Sequence, residues 1–209
     1  MNKNFSPSDL LVCRSLTNDP VINAVAAAMT SPDSSGSEAI AALIIAAENS
    51  NFSGNILRSY VVNRLLTDQN IVNSTLERSG GQIGTSLKEA FVHDIEVLLP
   101  LFIYKPSELI KGAPIFLDDY QSTNKADKTE VNAFVSSVIS NAASVSDLVD
   151  GFLSYYRTYG YGDIAVYKAF SWNSDTTMLK GIQNFEPALL KDIIGYQRQK
   201  EALVKNTLA

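Results

Sequence analysis

Nine consecutive apolar residues, Ala39-Ile40-Ala41-Ala42-Leu43-Ile44-Ile45-Ala46-Ala47, constrain this chain more than any other feature. Alanine and leucine favour helix, Ser37-Glu38 supplies a starting signal, and apolar groups then fall on almost every side of the helix. The run is far shorter than the roughly 18 residues of a membrane span, so protein rather than lipid has to cover it. The pattern predicts a central, buried helix in a mainly α fold. At about 100–200 residues per domain, the 209 residues allow one large domain or two small ones.

Helix punctuation recurs on both sides of that run. Ser6-Pro7-Ser8-Asp9 and Asp19-Pro20 each place a capping side chain before a proline at the first helical position. They predict a short helix near 7–17 that breaks and restarts over 20–30. Ile56, Tyr60, Val61 and Leu65 follow helical spacing after Ser53-Gly54, and Gly80-Gly81 closes that block. Leu87, Phe91, Ile95, Leu98 and Leu99 form the next stripe, which Pro100 should end or kink. Residues 118–127 are a polar loop. Val131, Phe134, Val135 and Val138 mark one helix beyond it, and Leu148, Phe152, Leu153 and Tyr156 mark another that stops at Gly160. After Gly162 the texture changes to β-branched and aromatic residues, then turn chemistry at 173–177, then a return over 178–182. The architecture expected is a multi-helix bundle over residues 1–160. A small C-terminal β-hairpin and a charged terminal helix follow over 161–209.

Charge and composition narrow the function. Lys and Arg number 17 against 22 Asp and Glu, a net charge of −5 that opposes nucleic-acid binding by bulk electrostatics. One cysteine and one histidine exclude an internal disulfide, a Cys-cluster site and a multi-histidine zinc centre. No export signal or membrane span is visible, which points to the cytoplasm. Glu89, His93 and Glu96 share one helix face and offer metal-ligand chemistry, but acidic helices present this spacing often and no second helix supplies a partner. Asp118-Asp119 lacks the order of a calcium loop, and Cys13 in its apolar setting reads as a buried thiol. Gly160-Tyr161-Gly162 imitates a dinucleotide pattern but follows a helix rather than a strand, so it reads as a cap and turn. Tyr155, Tyr156, Tyr159, Tyr161, Tyr167, Phe170 and Trp172 are read as an interior where the last bundle helix meets the hairpin. No catalytic or metal-binding residue is assigned.

From Tyr155 onward, three stretches carry a resemblance. They are Tyr155-Tyr156-Arg157-x-Tyr159-Gly160-x-Gly162, Lys168-Ala169-Phe170-x-Trp172, and Leu190-Lys191-Asp192-Ile193-Ile194-Gly195-Tyr196-Gln197-Arg198-Gln199-Lys200 with Leu203, Asn206 and Thr207. Together they resemble the region ahead of the nucleotide domain in a bacterial family of uncharacterised AAA+ ATPases. The resemblance implies that Ile193, Ile194, Gly195 and Tyr196 lie on the adenine side of a site completed by a downstream domain. It also implies ATP and Mg as cofactors of the whole parent and assembly of subunits through it. The Walker A loop, which would follow the last helix, is not reached before Ala209. The expectation is a non-catalytic helical accessory domain that recognises a protein partner. The rival readings are a freestanding helical scaffold or oligomerisation module and, third, a small metal-dependent enzyme.

Overall fold

Asp19 and Pro20 start α1 (Pro20–Thr30) as their order requires: the Asp19 carboxylate accepts from the N–H groups of Val21 and Ile22, at 2.9 Å each. The computed structural model describes residues 3–30, 36–123, 130–162, 169–174, 178–182 and 189–207. Upstream of Asp19 the expected helix over 7–17 does not form. Pro7–Asp9 and Arg14–Asn18 are separate 3-10 turns. Between them the N–H groups of Leu11, Val12 and Cys13 all donate to Asp94, and backbone donors held by a distant carboxylate cannot join a helical ladder.

The nine-residue apolar run lies within α2 (Ser37–Ser50), and its expected place at the buried centre is overturned. Only Ala39, Leu43 and Ala47 are buried, one stripe at four-residue spacing, while Ile45 is 61% exposed. A helix that is apolar all round carries no polar face to say which side meets water, so packing against α1 and α3 decides it. The centre is α3 (Ile56–Thr67), where Ile56, Leu57, Val61, Val62, Leu65 and Leu66 are buried among α2, α5, α7 and α8. Asn55 caps α3 by accepting from the Arg58 N–H at 3.1 Å.

Next come α4 (Ile71–Arg78), started by the reciprocal Asn70–Asn73 cap, and α5 (Thr85–Ile103). Pro100 neither ends nor breaks α5 at once. The helix runs three residues past it. Then follow α6 (Pro106–Leu109), a 3-10 turn at Ile115–Asp119, and α7 (Glu130–Phe134). Without interruption α7 widens into a π-helical turn, Val135–Ile139, closed by a 2.9 Å bond from the Ser140 N–H to the Val135 carbonyl. The last bundle helix is α8 (Val145–Tyr159). Rings of Phe91, Phe102, Phe134, Phe152, Tyr155 and Tyr156 stack edge-on and tilted between α5, α7 and α8, with centroids 4.7–6.5 Å apart. The loop expected over 118–127 begins with ordered contacts, since the Thr123 N–H reaches Glu48 at 3.1 Å, and residues 124–129 lie outside the described residues.

The chain divides into two units, residues 1–167 and 168–209. In the second, β1 (Phe170–Asn173) pairs antiparallel with β2 (Met178–Gly181), Trp172 opposite Leu179. A terminal helix, α9 (Gln197–Thr207), completes it. Of the aromatic residues read together from the sequence, Tyr155, Tyr156, Tyr159 and Tyr161 belong to the first unit and Phe170 and Trp172 to the second. Tyr155 and Tyr156 are buried in the helical unit, whereas Tyr159 and Trp172 are more than half exposed. Tyr167 lies outside the described residues.

Candidate functional site

Leu190–Asp192 form a 3-10 turn, after which Gly195 (φ +82°) and Tyr196 (φ +57°) bend the chain into α9. Both lie in the left-handed region, which glycine enters freely and tyrosine does not, so the bend is built at some cost in backbone energy. The Lys200 N–H bonds the Tyr196 carbonyl at 3.0 Å, and the Lys200 ammonium donates to the Ile193 carbonyl. Ile193, Ile194 and Tyr196 nonetheless face water at 39%, 94% and 70% exposure, and Leu203 and Val204 on α9 are also exposed. The residues assigned to an adenine side are therefore apolar groups on an open surface.

The other sequence candidates are dispersed. Glu89, His93 and Glu96 are all exposed on α5, and the His93 ring sits 3.3 Å from an Asp94 oxygen. Among the described residues no three His, Cys, Asp or Glu side chains converge as a metal site would require. Asp118 is taken up by Ser107, whose N–H and hydroxyl donate to it at 3.0 and 2.6 Å, tying the 3-10 turn to α6. Burial, followed by the charge of Asp94, pushes the Cys13 thiol well above its usual range, the opposite of what activates a nucleophile.

Two polar clusters were not singled out in the sequence. Asp94 is fully buried and holds the N–H groups of Leu11, Val12 and Cys13 at 2.7, 2.9 and 2.7 Å, so an anion-binding backbone nest is filled by the chain's own carboxylate. Its place in the heptad of Phe91 and Leu98, on the buried stripe, was the available signal. The second cluster joins Asp19, Tyr60, Arg64 and Asp68. The Tyr60 hydroxyl donates to Asp19 at 2.8 Å, and Arg64 lies 3.1 Å from Asp19 and 2.9 Å from Asp68. Burial raises the Asp68 carboxyl above its ordinary value, and burial with the Asp19 bond raises the Tyr60 phenol. Both clusters fasten residues 11–19 to the bundle.

A groove of about 830 Å³ opens where residues 4–9 cross the C-terminal half of α5. Phe5, Val97, Pro100 and Ile103 form an apolar floor, with Asp9 and Glu96 on its walls. Pro100 has no N–H to offer the Glu96 carbonyl one turn earlier. At the edge, the Lys3 ammonium sits 4.7 Å above the centre of the Tyr104 ring.

No family model, curated protein or solved structure matches this chain. Among the described residues, no helix is long and apolar enough to cross a membrane.

Proposed function

We infer that this chain is a helical accessory region ahead of an AAA+ motor, with a binding rather than a catalytic task. The observation that carries this reading is the exposure of Ile193, Ile194 and Tyr196 within the stretch where the resemblance is densest. Apolar side chains left in water mark a surface that another structure covers, and in the resembling ATPases a nucleotide domain follows at this point. ATP and Mg would belong to that downstream domain. A phosphate cradle needs glycine-rich backbone, a lysine and a metal-placing hydroxyl, which residues 193–207 do not assemble.

The α5 groove supports the recognition half of the reading. Its apolar floor and two carboxylates fit a protein segment that pairs apolar with basic side chains, and Lys3 over Tyr104 is an instance of that chemistry within the chain. The bacterial and cytoplasmic settings belong to the same proposal.

Reading the gene beyond codon 209 and measuring Mg-ATP binding to short and extended proteins tests the proposal. A Walker A loop downstream, with tight binding by the extended protein alone, is the expected result. A reading frame with no such loop would favour the freestanding scaffold and refute the motor.

A further inference from the structure

Among the described residues Arg58 is a charge without a counter-ion. It projects from α3, is half-buried, and spends one donor on the Phe102 carbonyl, 2.6 Å from its Nε. That bond caps the end of α5, where a cation is favoured by the helix dipole. The two Nη groups have no hydrogen-bond or ion-pair partner among the described residues. Burial lowers the Arg58 pKa, and among the described residues no carboxylate acts against it. A half-buried guanidinium whose Nη groups are open to solvent can take an acid as a bidentate partner.

The same guanidinium lines a cavity of about 550 Å³. Leu99, Phe102 and Ile103 of α5 form one wall. Ile139, at the end of the π-helical turn, faces them together with Val145 and Leu148 of α8. Among the described residues no acidic side chain lines the cavity. Its volume lies within the range of small-molecule pockets, roughly 300–1,000 Å³, and its make-up follows their pattern of apolar walls around a few placed polar groups. π-helical turns also concentrate at binding sites. Here the turn is held in place by Val138, which packs onto Gly151 so closely that a Cβ there would meet it at 2.2 Å.

We propose that this cavity binds a medium-chain alkyl carboxylate, its carboxylate paired with the Nη groups of Arg58 and its chain lying between α5 and α8. A bidentate pair on the open fork engages the half-buried cation, and the methylenes cover the apolar side chains of the cavity. Ser140 and Ser144 also line the cavity. Against its apolar side chains an alkyl chain fits better than a peptide, whose every residue brings an N–H and a C=O that those side chains leave unpaired. The inference is independent of the AAA+ reading, since every residue it uses lies between 58 and 151.

The 209-residue protein, titrated by NMR and calorimetry with octanoate, octanol and acetate, provides the test. Octanoate should bind saturably at one site and shift the amides of residues 142–145, with octanol and acetate at least tenfold weaker. Decanoate should bind more tightly than octanoate, each buried methylene adding about fourfold. Arg58→Gln should erase the preference of octanoate over octanol, and Ala143→Phe, which leaves Arg58 intact, should block the cavity. Equal affinity for octanoate and octanol in the wild-type protein would overturn the proposal whatever the variants do. So would shifts that map away from residues 142–145, or an Arg58→Gln protein that folds and binds octanoate unchanged.

Discussion

Removing the Asp94 carboxylate should unfasten the N-terminal segment before it unfolds the bundle. In Asp94→Ala, three backbone N–H groups lose their shared acceptor. They do not lose it equally. Leu11 is 56% exposed, so its N–H can turn to water, whereas Cys13 is 1% exposed and its N–H is left unpaired. An orphaned buried donor costs about 1–3 kcal/mol, and bonds to a charged acceptor lie at the upper end of the hydrogen-bond range. Taking the full penalty at Cys13, about 1–2 kcal/mol at Val12 and little at Leu11 gives a loss of roughly 2–5 kcal/mol. That is a large share of the roughly 5–15 kcal/mol by which a domain is stable. Two measurements separate local from global release. Urea unfolding followed by circular dichroism reads the total, and the rate at which Cys13 reacts with a thiol reagent in native buffer reads the segment. Expected are a loss within that range and a Cys13 rate raised at least tenfold while the helical signal stays intact. A loss under about 1 kcal/mol, the size of one ordinary hydrogen bond, together with an unchanged Cys13 rate, would refute the assignment of Asp94 as the anchor.

In the wild-type protein Cys13 should resist alkylation. Its thiol is raised in the folded state, so the stability this adds is complete below the unfolded thiol value of about 8.5 and declines as pH climbs beyond it. Denaturant midpoints across that range check the sign, and a midpoint that rises with pH contradicts it. Gly151→Ala should gain about 1 kcal/mol of helix propensity and lose about 1–3 kcal/mol to the Val138 methyl in its way, for a net loss of up to about 2 kcal/mol. Adding Val138→Ala should return part of that loss, and additive effects would deny the contact. Ser144→Ala should cost about 1 kcal/mol through the α8 cap, where Ser144 accepts from the Asp147 N–H at 3.2 Å. The hydroxyl and N–H of Ser144 and the N–H of Ala143 hold the Asp147 carboxyl below its usual range. Its contribution is therefore present above the unfolded value of about 3.9 and lost as pH falls through the lower folded value, so the gap between wild type and variant should narrow in acid to what the N–H cap alone supplies.

Local chemistry was enough to locate most of the helices. Asp19-Pro20 starts α1, the stripe from Leu87 to Leu99 is α5, the spacing from Leu148 to Tyr156 is α8, and residues 170–173 pair with 178–181. These signals act between residues a turn or a few positions apart, which is why a linear reading reaches them. Burial was another matter. The run at 39–47 is the most apolar segment, yet it ends with Ile45 in water, while the mixed sequence of α3 becomes the centre because helices pack around it on several sides. The adenine-side residues were named from a resemblance, and the structure leaves them as an exposed bend whose role depends on what covers it. Asp94 and Arg58 were passed over for one reason. A carboxylate that gathers three N–H groups, and a guanidinium that meets an apolar-sided cavity, are defined by groups dozens of residues away in the chain. Periodicity tells which face of a helix is apolar, but the partner of a buried charge is a fact about space, and only the folded chain brings that partner within 3 Å.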